Sequence, residues 1–405
     1  MPAKTNLSMV KSLTPDMPHI IKYMGSKRNL LDFVVESIDS VRTGKDQRLY
    51  DLFAGSSVVG GSFRNKMPVT CNDVQSYSGL IGRVYLNNYN WEAFPDNVLS
   101  RIVKKAESHI KRFHKAHPGF ELSYPELPSL KETLILEKKQ QQLIDLKFDT
   151  KDHLFTKYFS GTYWSFDQCL WIDALSSVAR SKPYKNTFLA DYIIGCLMFS
   201  MAYCSQSTGH YAQYRDVTKD NLSDILMYRK KKILPLFESK FKSLAQYFNG
   251  CNNTEHDHQT TNYDFREALK YIEPNSIVYA DPPYQFVHYS RFYHALETLV
   301  KYDYPEVKFK GRYRTDRHQS DFCIKSKVRG AFTDLFANVA SADSSLVLSY
   351  SETGMISFDD LLRLAKETMK GYKVEVRELD YIHSTMGRQK DKSRKVVEVM
   401  LICSK

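Results

Sequence analysis

An aspartate, two prolines and a tyrosine follow a short β-favouring run in the second half of the chain, as Asp281, Pro282, Pro283 and Tyr284. The run over 276–280 predicts a buried strand, although a segment of buried helix also fits its apolar pattern. Prolines fix φ, lack an N–H and push the preceding residue out of the α region, so Asp281 should stand extended where the strand ends. In open α/β sheets this edge is where ligands bind.

These side chains suit one chemical task, the binding of a flat group that carries an NH2. The carboxylate of Asp281 and the free carbonyl of Pro282 would accept its two N–H bonds, and the ring of Tyr284 would stack on its face. The alternative interpretation is a strand that ends in a proline turn with a surface acid and a surface tyrosine. The rest of the chain favours the first interpretation.

The size and charge of the chain indicate a globular protein with a polyanionic partner. Its 405 residues are enough for a full α/β domain and a second domain, and 42% hydrophobic with 25% charged residues is ordinary for a folded protein. The net charge of +11 favours nucleic acid as the partner, and the 27 tyrosines and 23 phenylalanines could stack on bases as well as fill a core. The alternative is a basic protein with no such partner.

The cysteines and histidines do not form a recognisable metal or disulfide pattern. The seven cysteines contain no C-x-x-C pair, their number is odd, and no secretory signal precedes them, which predicts reduced thiols in a cytoplasmic protein. The longest apolar run, 192–203, is too short to span a bilayer and predicts a buried helix rather than a membrane partner. His256 and His258 lack further ligands at metal spacing, so we expect a loop and no metal site.

A strand, a turn of small residues and a helix are predicted in succession from Leu49. The strand covers 49–53, the turn 54–57, and the helix starts at Val58; Gly55 would let a ligand approach the backbone closely. The turn lacks both the G-x-G-x-x-G spacing of nicotinamide enzymes and the Gly-Lys-Ser/Thr end of a phosphate-binding loop, which argues against both classes. Upstream, a loop with Lys22 and Lys27 enters a helix, where anionic groups are favoured.

Two further acids are predicted to lie at the same sheet edge. Asp73 ends a second strand, 69–73, and is a candidate to hold ribose hydroxyls, although it would equally cap the following helix. Asp264 stands where the strand pattern resumes and is a candidate edge acid near the ligand. The β-α alternation predicts a Rossmann-like α/β sheet.

The predicted sheet is interrupted by a mostly helical insertion. No β-α alternation is evident over 96–262, so we assign the catalytic domain to 1–95 and 263–405 and the insertion to the residues between. Mixed polar, aromatic and basic residues in the insertion could grip DNA and read base edges. At the C-terminus, strands over 372–381 and 396–403 would pair as an antiparallel hairpin.

Two basic stretches are candidate phosphate contacts. The first lies in 285–327, a segment with little apolar periodicity that we interpret as a mobile lid, and it contains Arg312 and Arg314. The second is the predicted tip of the C-terminal hairpin, with Arg388 and Lys390. We predict that these four side chains bind DNA.

Four motifs in a fixed order resemble the D12 class of DNA adenine-N6 methyltransferases, the group that contains Dam. They cover 22–27, 51–55, 72–73 and 281–284. The four motifs together are specific for this family, although no single one of them is. The resemblance covers the chain beyond the first 18 residues and is weak in the insertion. It implies a Rossmann-like S-adenosylmethionine-dependent methyltransferase sheet with an antiparallel C-terminal hairpin and an inserted helical target-recognition domain.

The resemblance also implies roles for individual residues. Cofactor contacts would come from Tyr23, Lys27, Phe53, Ala54, Gly55, Asp73, Asp264 and Asp281, with Asp73 on the ribose. Asp281, Pro282 and Tyr284 would hold an adenine flipped out of the duplex. The family usually has a second glycine where this chain has Ser57; either the turn is tighter here or the serine donates to the cofactor.

The implied function is site-specific adenine-N6 methylation of double-stranded DNA, with a cognate restriction endonuclease acting separately. A cytosine-N4 methyltransferase uses the same amine geometry but more often has serine in place of Asp281, and methylation of a protein amide would favour asparagine there; RNA is a further alternative substrate. A catalytically inactive DNA-binding protein of the same fold is an alternative of another class, and intact Asp281, Tyr284 and Lys27 argue against it.

Overall fold

The computed structural model describes residues 17–148, 151–207, 210–283, 286, 288–351, 354–384 and 393–405. The strands in these residues are β1 (Leu49–Asp51), β2 (Val69–Asn72), β3 (Gln259–Thr261), β4 (Ile277–Ala280), β5 (Val307–Lys308), β6 (Tyr313–Arg314), β7 (Ser345–Ser351), β8 (Lys373–Ser384) and β9 (Ser393–Ser404). The helices are α1 (Leu31–Asp39), α2 (Val58–Ser62), α3 (Ser76–Leu86), α4 (Val98–Ala116), α5 (Leu130–Gln141), α6 (Leu154–Phe159), α7 (Phe166–Ala179), α8 (Phe188–Cys204), α9 (Leu222–Lys230), α10 (Ile233–Gly250), α11 (Phe265–Leu269), α12 (His294–Lys301), α13 (Val328–Ser341) and α14 (Phe358–Thr368).

A mainly parallel sheet forms the centre of the fold, with strand order β3-β2-β1-β4-β7-β9-β8. β3, β2, β1, β4 and β7 pair in parallel, while β9 is antiparallel to both β7 and β8. The α/β prediction with a parallel sheet is therefore confirmed. β2 lies on one side of β1 and β4 lies on the other, so the strand order reverses at β1. Such a switch point opens a crevice at the carboxyl ends of the strands.

Both faces of the sheet are covered, which explains why the central strands read as continuous apolar runs. Leu49, Ile277 and Tyr279 belong to one core cluster, whereas Tyr50 and Val278 belong to the other. Successive residues of a strand point to opposite faces, so one run of apolar residues fills both layers. The first layer includes α1, α3 and α8, and the second includes α13 and α14.

Among the helices between α3 and β3, α8 packs directly on α3, and the two helices share one core cluster. Arg83 of α3 forms two hydrogen bonds, of 2.7 and 3.0 Å, with the carboxylate of Asp191 on α8. A Cβ on Gly195 would lie 3.3 Å from Val84, so the two helices approach closely there. The buried helix predicted over 192–203 lies within α8. β3 joins the sheet at Gln259–Thr261, a few residues before the predicted boundary at 263.

The segment predicted as a lid with little regular structure instead contains α12 and the β5–β6 hairpin. α12 is only eight residues long and buries polar as well as apolar side chains, so it gives a short signal in the sequence. Glu297 accepts a hydrogen bond of 3.2 Å from the Tyr77 N–H, and a ring nitrogen of His294 lies 2.8 Å from the Tyr211 carbonyl. None of the helices in the described part of the chain combines the length and apolarity needed to cross a bilayer.

Candidate active site

A cleft opens at the carboxyl ends of β1, β2 and β4. Its lining contains every residue predicted to touch the cofactor, namely Tyr23, Lys27, Phe53, Ala54, Gly55, Asp73, Asp264 and Asp281. Pro282 lines it as well, whereas Tyr284 lies outside the described residues. The sheet edge therefore brings together residues that are more than 250 positions apart in the sequence.

Asp73 holds the two loops that form one wall of the cleft. Its carboxylate accepts a hydrogen bond of 2.9 Å from the Gly55 N–H and one of 2.8 Å from the Gln75 N–H. Loss of solvent raises the pKa of Asp73 to about 6, although these two N–H donors favour the ionised form. Gln75 immediately precedes α3, so the carboxylate supports the helix start and also faces the cleft.

The glycine of the β1–α2 turn makes room for a tyrosine ring of the protein itself. Gly55 has φ +51°, and a Cβ added to it would lie 2.8 Å from the hydroxyl of Tyr23. That ring stacks on both Tyr289 and Tyr293, with centroid distances of 5.3 and 4.9 Å. Tyr289 also lines the cleft and was missed in the sequence, where the repeated tyrosines of 289–293 are its signal.

Lys27 connects two carboxylates at the base of the cleft. Its Nζ lies 3.2 Å from Oδ1 of Asp281 and 2.6 Å from Oε1 of Glu398. The hydroxyl of Ser349 donates to the same Glu398 oxygen. Lys27 and Glu398 are almost fully buried, whereas Asp281 keeps 19% of its side chain exposed and lines the cleft. The lysine therefore fixes the orientation of the Asp281 carboxylate.

Glu398 is a site residue that the sequence analysis missed. It lies on β9, which runs antiparallel to β7, and only the paired strands bring it to Lys27 from the far end of the chain. The available signal was a single acid inside an otherwise apolar β9 run. A charged residue in such a strand is costly to bury unless it is paired, so its presence indicates a partner.

The base of the cleft is rich in carboxylates. Burial raises the pKa of Asp281 to about 6; Lys27 opposes this shift and Glu398 adds to it. Burial also raises the pKa of Asp51 to about 7, and Asp51 accepts a hydrogen bond of 3.0 Å from the Gly60 N–H. One lysine faces several acids here, so the cleft suits a ligand that carries positive charge and N–H donors.

The structure does not support the prediction that Arg312 and Arg314 contact DNA. Arg314 is 3% exposed and pairs with the carboxylates of Asp303 and Asp316 at 2.6 and 2.8 Å. Arg312 is buried and donates to the carbonyl of Gln141 at 2.7 Å and to that of Tyr158. Both guanidinium groups are used inside the fold. Arg388 and Lys390 lie outside the described residues, so their predicted role stays a prediction.

Ser57 takes the backbone conformation that a glycine would favour. Its φ is +53°, and its hydroxyl donates to the Ser78 carbonyl at 3.3 Å, away from the cleft lining. A left-handed conformation costs a non-glycine residue about 1–2 kcal/mol. The hydroxyl therefore fixes α3 to the turn and leaves the backbone strained.

Ser57→Gly should therefore raise the free energy of unfolding by roughly 0.5–1 kcal/mol, since relief of strain outweighs one long hydrogen bond. Denaturant unfolding measures this, with Ser56→Gly as the neighbouring control that has no positive φ and should lose stability. A Ser57→Gly variant that unfolds at lower denaturant concentration than the wild type would show that the hydroxyl contact dominates.

Comparison with known proteins places this site in a family. The family model described as D12 class N6 adenine-specific DNA methyltransferase matches residues 23–353. The modification methylase LlaI of Lactococcus lactis subsp. lactis is 26% identical over 388 residues, 95% of this chain and 55% of that protein. The type II methyltransferase M.FokI of Planomicrobium okeanokoites is 24% identical over 376 residues, 90% of this chain and 50% of that protein.

A shorter relative matches over most of its own length. The type II methyltransferase M.NlaIII of Neisseria lactamica is 24% identical over 344 residues, 83% of this chain and 85% of that protein. The chain spans about half the length of LlaI and M.FokI. The family match begins at Tyr23 and includes the Gly55 turn, Asp73 and Asp281. This chain belongs to the D12 class N6 adenine-specific DNA methyltransferases.

Proposed function

We propose that the protein is a site-specific DNA methyltransferase that transfers a methyl group from S-adenosylmethionine to the exocyclic N6 of an adenine in double-stranded DNA. The observation that carries this proposal is the position of Asp281. Its carboxylate, fixed by Lys27, lies at the carboxyl end of β4 in the same cleft as the Gly55 turn and Asp73. The proposed acceptor for the amine, Asp281, and the proposed nucleoside contacts, Gly55 and Asp73, therefore line one cleft.

The residues present fit the proposed cofactor. The carboxylates of Asp73 and Asp281 give the base of the cleft a negative charge that complements a sulfonium cation. Asp73 would hold the ribose hydroxyls, and the turn from Phe53 to Gly55 would lie beside the nucleoside. When bound, S-adenosylmethionine supplies an electrophilic methyl group.

The substrate adenine has to leave the base stack, because its amine cannot be reached inside a duplex. The Asp281 carboxylate and the Pro282 carbonyl would accept the two N–H bonds and so aim the nitrogen lone pair. The negative charge of Asp281 would stabilise the positive charge that develops on this nitrogen during displacement. Positioning then supplies most of the rate enhancement, and no cysteine nucleophile is needed. The stacking role of Tyr284 stays a prediction.

The aspartate and the family both favour adenine over cytosine. The cytosine-N4 alternative would more often have serine at position 281, and the matching family is described as adenine-specific. The inactive alternative is disfavoured because Asp281 and Lys27 stand in direct contact at the cleft.

The helices α4 to α10 are proposed to recognise the DNA target. They fill the interval between α3 and β3, and the net charge of +11 favours the phosphate backbone. A separately acting restriction endonuclease and a cytoplasmic location stay predictions.

Methyl transfer should depend on pH through Asp281. The carboxylate form is needed to accept both N–H bonds, and burial raises the pKa of this group to about 6. Protonation on the acid side would convert one acceptor into a donor, so the single-turnover rate should fall as the pH drops through about 6 and level off above it. The measurement is the rate at saturating cofactor and DNA across this range. A rate that falls only near the ordinary pKa of aspartate would contradict the conclusion that burial raises the pKa of Asp281.

The direct test of the proposed function is incubation of the purified protein with unmethylated genomic DNA and S-adenosylmethionine, followed by sequencing for modified bases. N6-methyladenine in one short motif is the expected result. N4-methylcytosine would overturn the assignment of the base. A protein that binds the cofactor and leaves DNA unmarked would overturn the assignment of DNA as the substrate.

A further inference from the structure

The β5–β6 hairpin presents a phenylalanine to solvent in a strained conformation. Phe309 is 79% exposed, and its φ of +63° is left-handed, as is that of Arg312 at the other end of the turn. A positive φ is a genuine outlier for a bulky residue. Strain of this kind persists where the surrounding structure imposes it, and it concentrates at functional positions.

The base of this hairpin is held firmly by the rest of the fold. The two buried arginines described above, Arg312 and Arg314, bind carbonyls and carboxylates on either side of it. The hydroxyl of Tyr163 donates to the Gly311 carbonyl at 3.1 Å, and Tyr313 donates to the Ala212 carbonyl. A rigid base and an exposed ring make the hairpin suited to pushing into a partner rather than folding back.

Ring contacts connect the hairpin to the wall of the cleft. The ring of Tyr313 lies 4.9 Å from that of His294. The preceding residue, Tyr293, stacks at 4.9 Å on Tyr23, which lines the cleft. A short series of side chains therefore links the hairpin to the wall of the cleft.

Two arginines between the hairpin and the cleft have no acidic partner among the residues that the structure describes. The guanidinium carbons of Arg291 and Arg317 lie 5.5 and 5.6 Å from the centroid of the Tyr313 ring, and both side chains are exposed. Their near neighbours Tyr289 and His318 line the cleft. By contrast, the turn lysines are compensated, since Lys308 pairs with Glu306 and Lys310 with Asp216. Uncompensated guanidinium groups at this place suit backbone phosphates.

We propose that Phe309 enters the base stack of bound DNA in the gap left by the extruded adenine, while Arg291 and Arg317 hold the adjacent phosphates. Extruding a base breaks its stacking on both sides, and an inserted apolar side chain replaces part of that contact. The flat ring needs no sequence information for this task, so it can serve any recognition sequence. This inference rests on the proposed function.

Phe309→Gly is the decisive variant because glycine accepts the left-handed φ, so the fold should lose nothing. The probe is a duplex with 2-aminopurine in place of the adenine that the wild type methylates, whose fluorescence rises when that base unstacks. At saturating protein, Phe309→Gly should lose most of this rise, and kcat/KM should fall by about tenfold or more, the scale of one lost base–aromatic stack. Its melting temperature should stay at or above that of the wild type.

Matched controls separate the ring from the rest of the turn. Phe309→Trp keeps a flat ring and should keep the fluorescence rise, and Lys310→Ala alters the same turn without removing the ring and should also keep it. A duplex with an abasic site opposite the target, where extrusion costs less, should restore much of the activity of Phe309→Gly. Full fluorescence and wild-type kcat/KM in Phe309→Gly would overturn the role of the ring.

The phosphate contacts have their own readout. The double variant Arg291→Ala/Arg317→Ala should reduce the slope of log K against log salt concentration by about two, since each phosphate contact contributes about one. An unchanged slope would overturn this part of the inference. Failure of the proposed function would look different, because the wild type itself would then leave DNA unmethylated.

Discussion

Asp281→Ala should reduce methyl transfer by at least a hundred- to thousandfold, roughly the loss that follows removal of one preorganised polar contact to developing charge. The variant removes both the acceptor for the adenine amine and the negative charge beside the reacting nitrogen. Lys27 keeps its 2.6 Å pair with Glu398, so the corner of the site should remain folded. The measurement is the single-turnover rate at saturating DNA and cofactor.

The matched control for this prediction is Asp359→Ala, which removes an exposed acid from the first turn of α14. It should retain wild-type rates. Cofactor affinity, measured by calorimetry for each variant, separates loss of chemistry from loss of binding. An Asp281→Ala enzyme with wild-type turnover would contradict the assignment of Asp281 as the acceptor for the adenine amine.

Lys27→Met should have the second large effect, which we expect on stability and on the pKa of Asp281. Its cause is the loss of a positive charge rather than of contacts with a ligand. It leaves the carboxylates of Asp281 and Glu398 near each other without the cation that separates them. Breaking a buried pair in this way typically costs about 3–5 kcal/mol of stability. Because Lys27 lowers the pKa of Asp281, its removal should raise that pKa further, so the acid limb of the pH–rate profile should move to higher pH.

The double variant Lys27→Met/Glu398→Gln tests whether charge is the cause. It removes one cation and one anion together, so much of the lost stability and part of the shift in the acid limb should return. The interaction energy in this double-mutant cycle should exceed about 0.5 kcal/mol, the scale expected for residues in contact. Additive effects of the two changes would show that Lys27 and Glu398 act independently.

The parts of the site that follow strand ends could be predicted from the sequence. Asp281 and Asp73 come directly after short apolar runs, and parallel strands deliver such positions to one edge. The turn at Gly55 was predictable for the same reason. These inferences need only local patterns and the rule that places ligands at the carboxyl ends of strands.

The parts that depend on pairing between distant segments could not be predicted in this way. Glu398 reaches Lys27 only because β9 inserts next to β7, which no local pattern reveals. The basic stretch near 312 could be recognised, but not which of its arginines would find acids. Arg314 forms ion pairs with Asp303 and Asp316, whereas Arg317 has no acidic partner in the described structure. Counting charges finds a basic segment, and only the fold shows which charges are free.

Methyl transfer to adenine is tested most directly by following the methyl group itself. The protein would be incubated with DNA and S-adenosylmethionine that carries a trideuterated methyl group, and the DNA would then be digested to nucleosides for mass spectrometry. We expect N6-methyladenine that carries the heavy methyl group in the wild type and none above background in Asp281→Ala. Heavy label on cytosine, or unlabelled adenine with the wild-type protein and bound cofactor, would contradict this expectation.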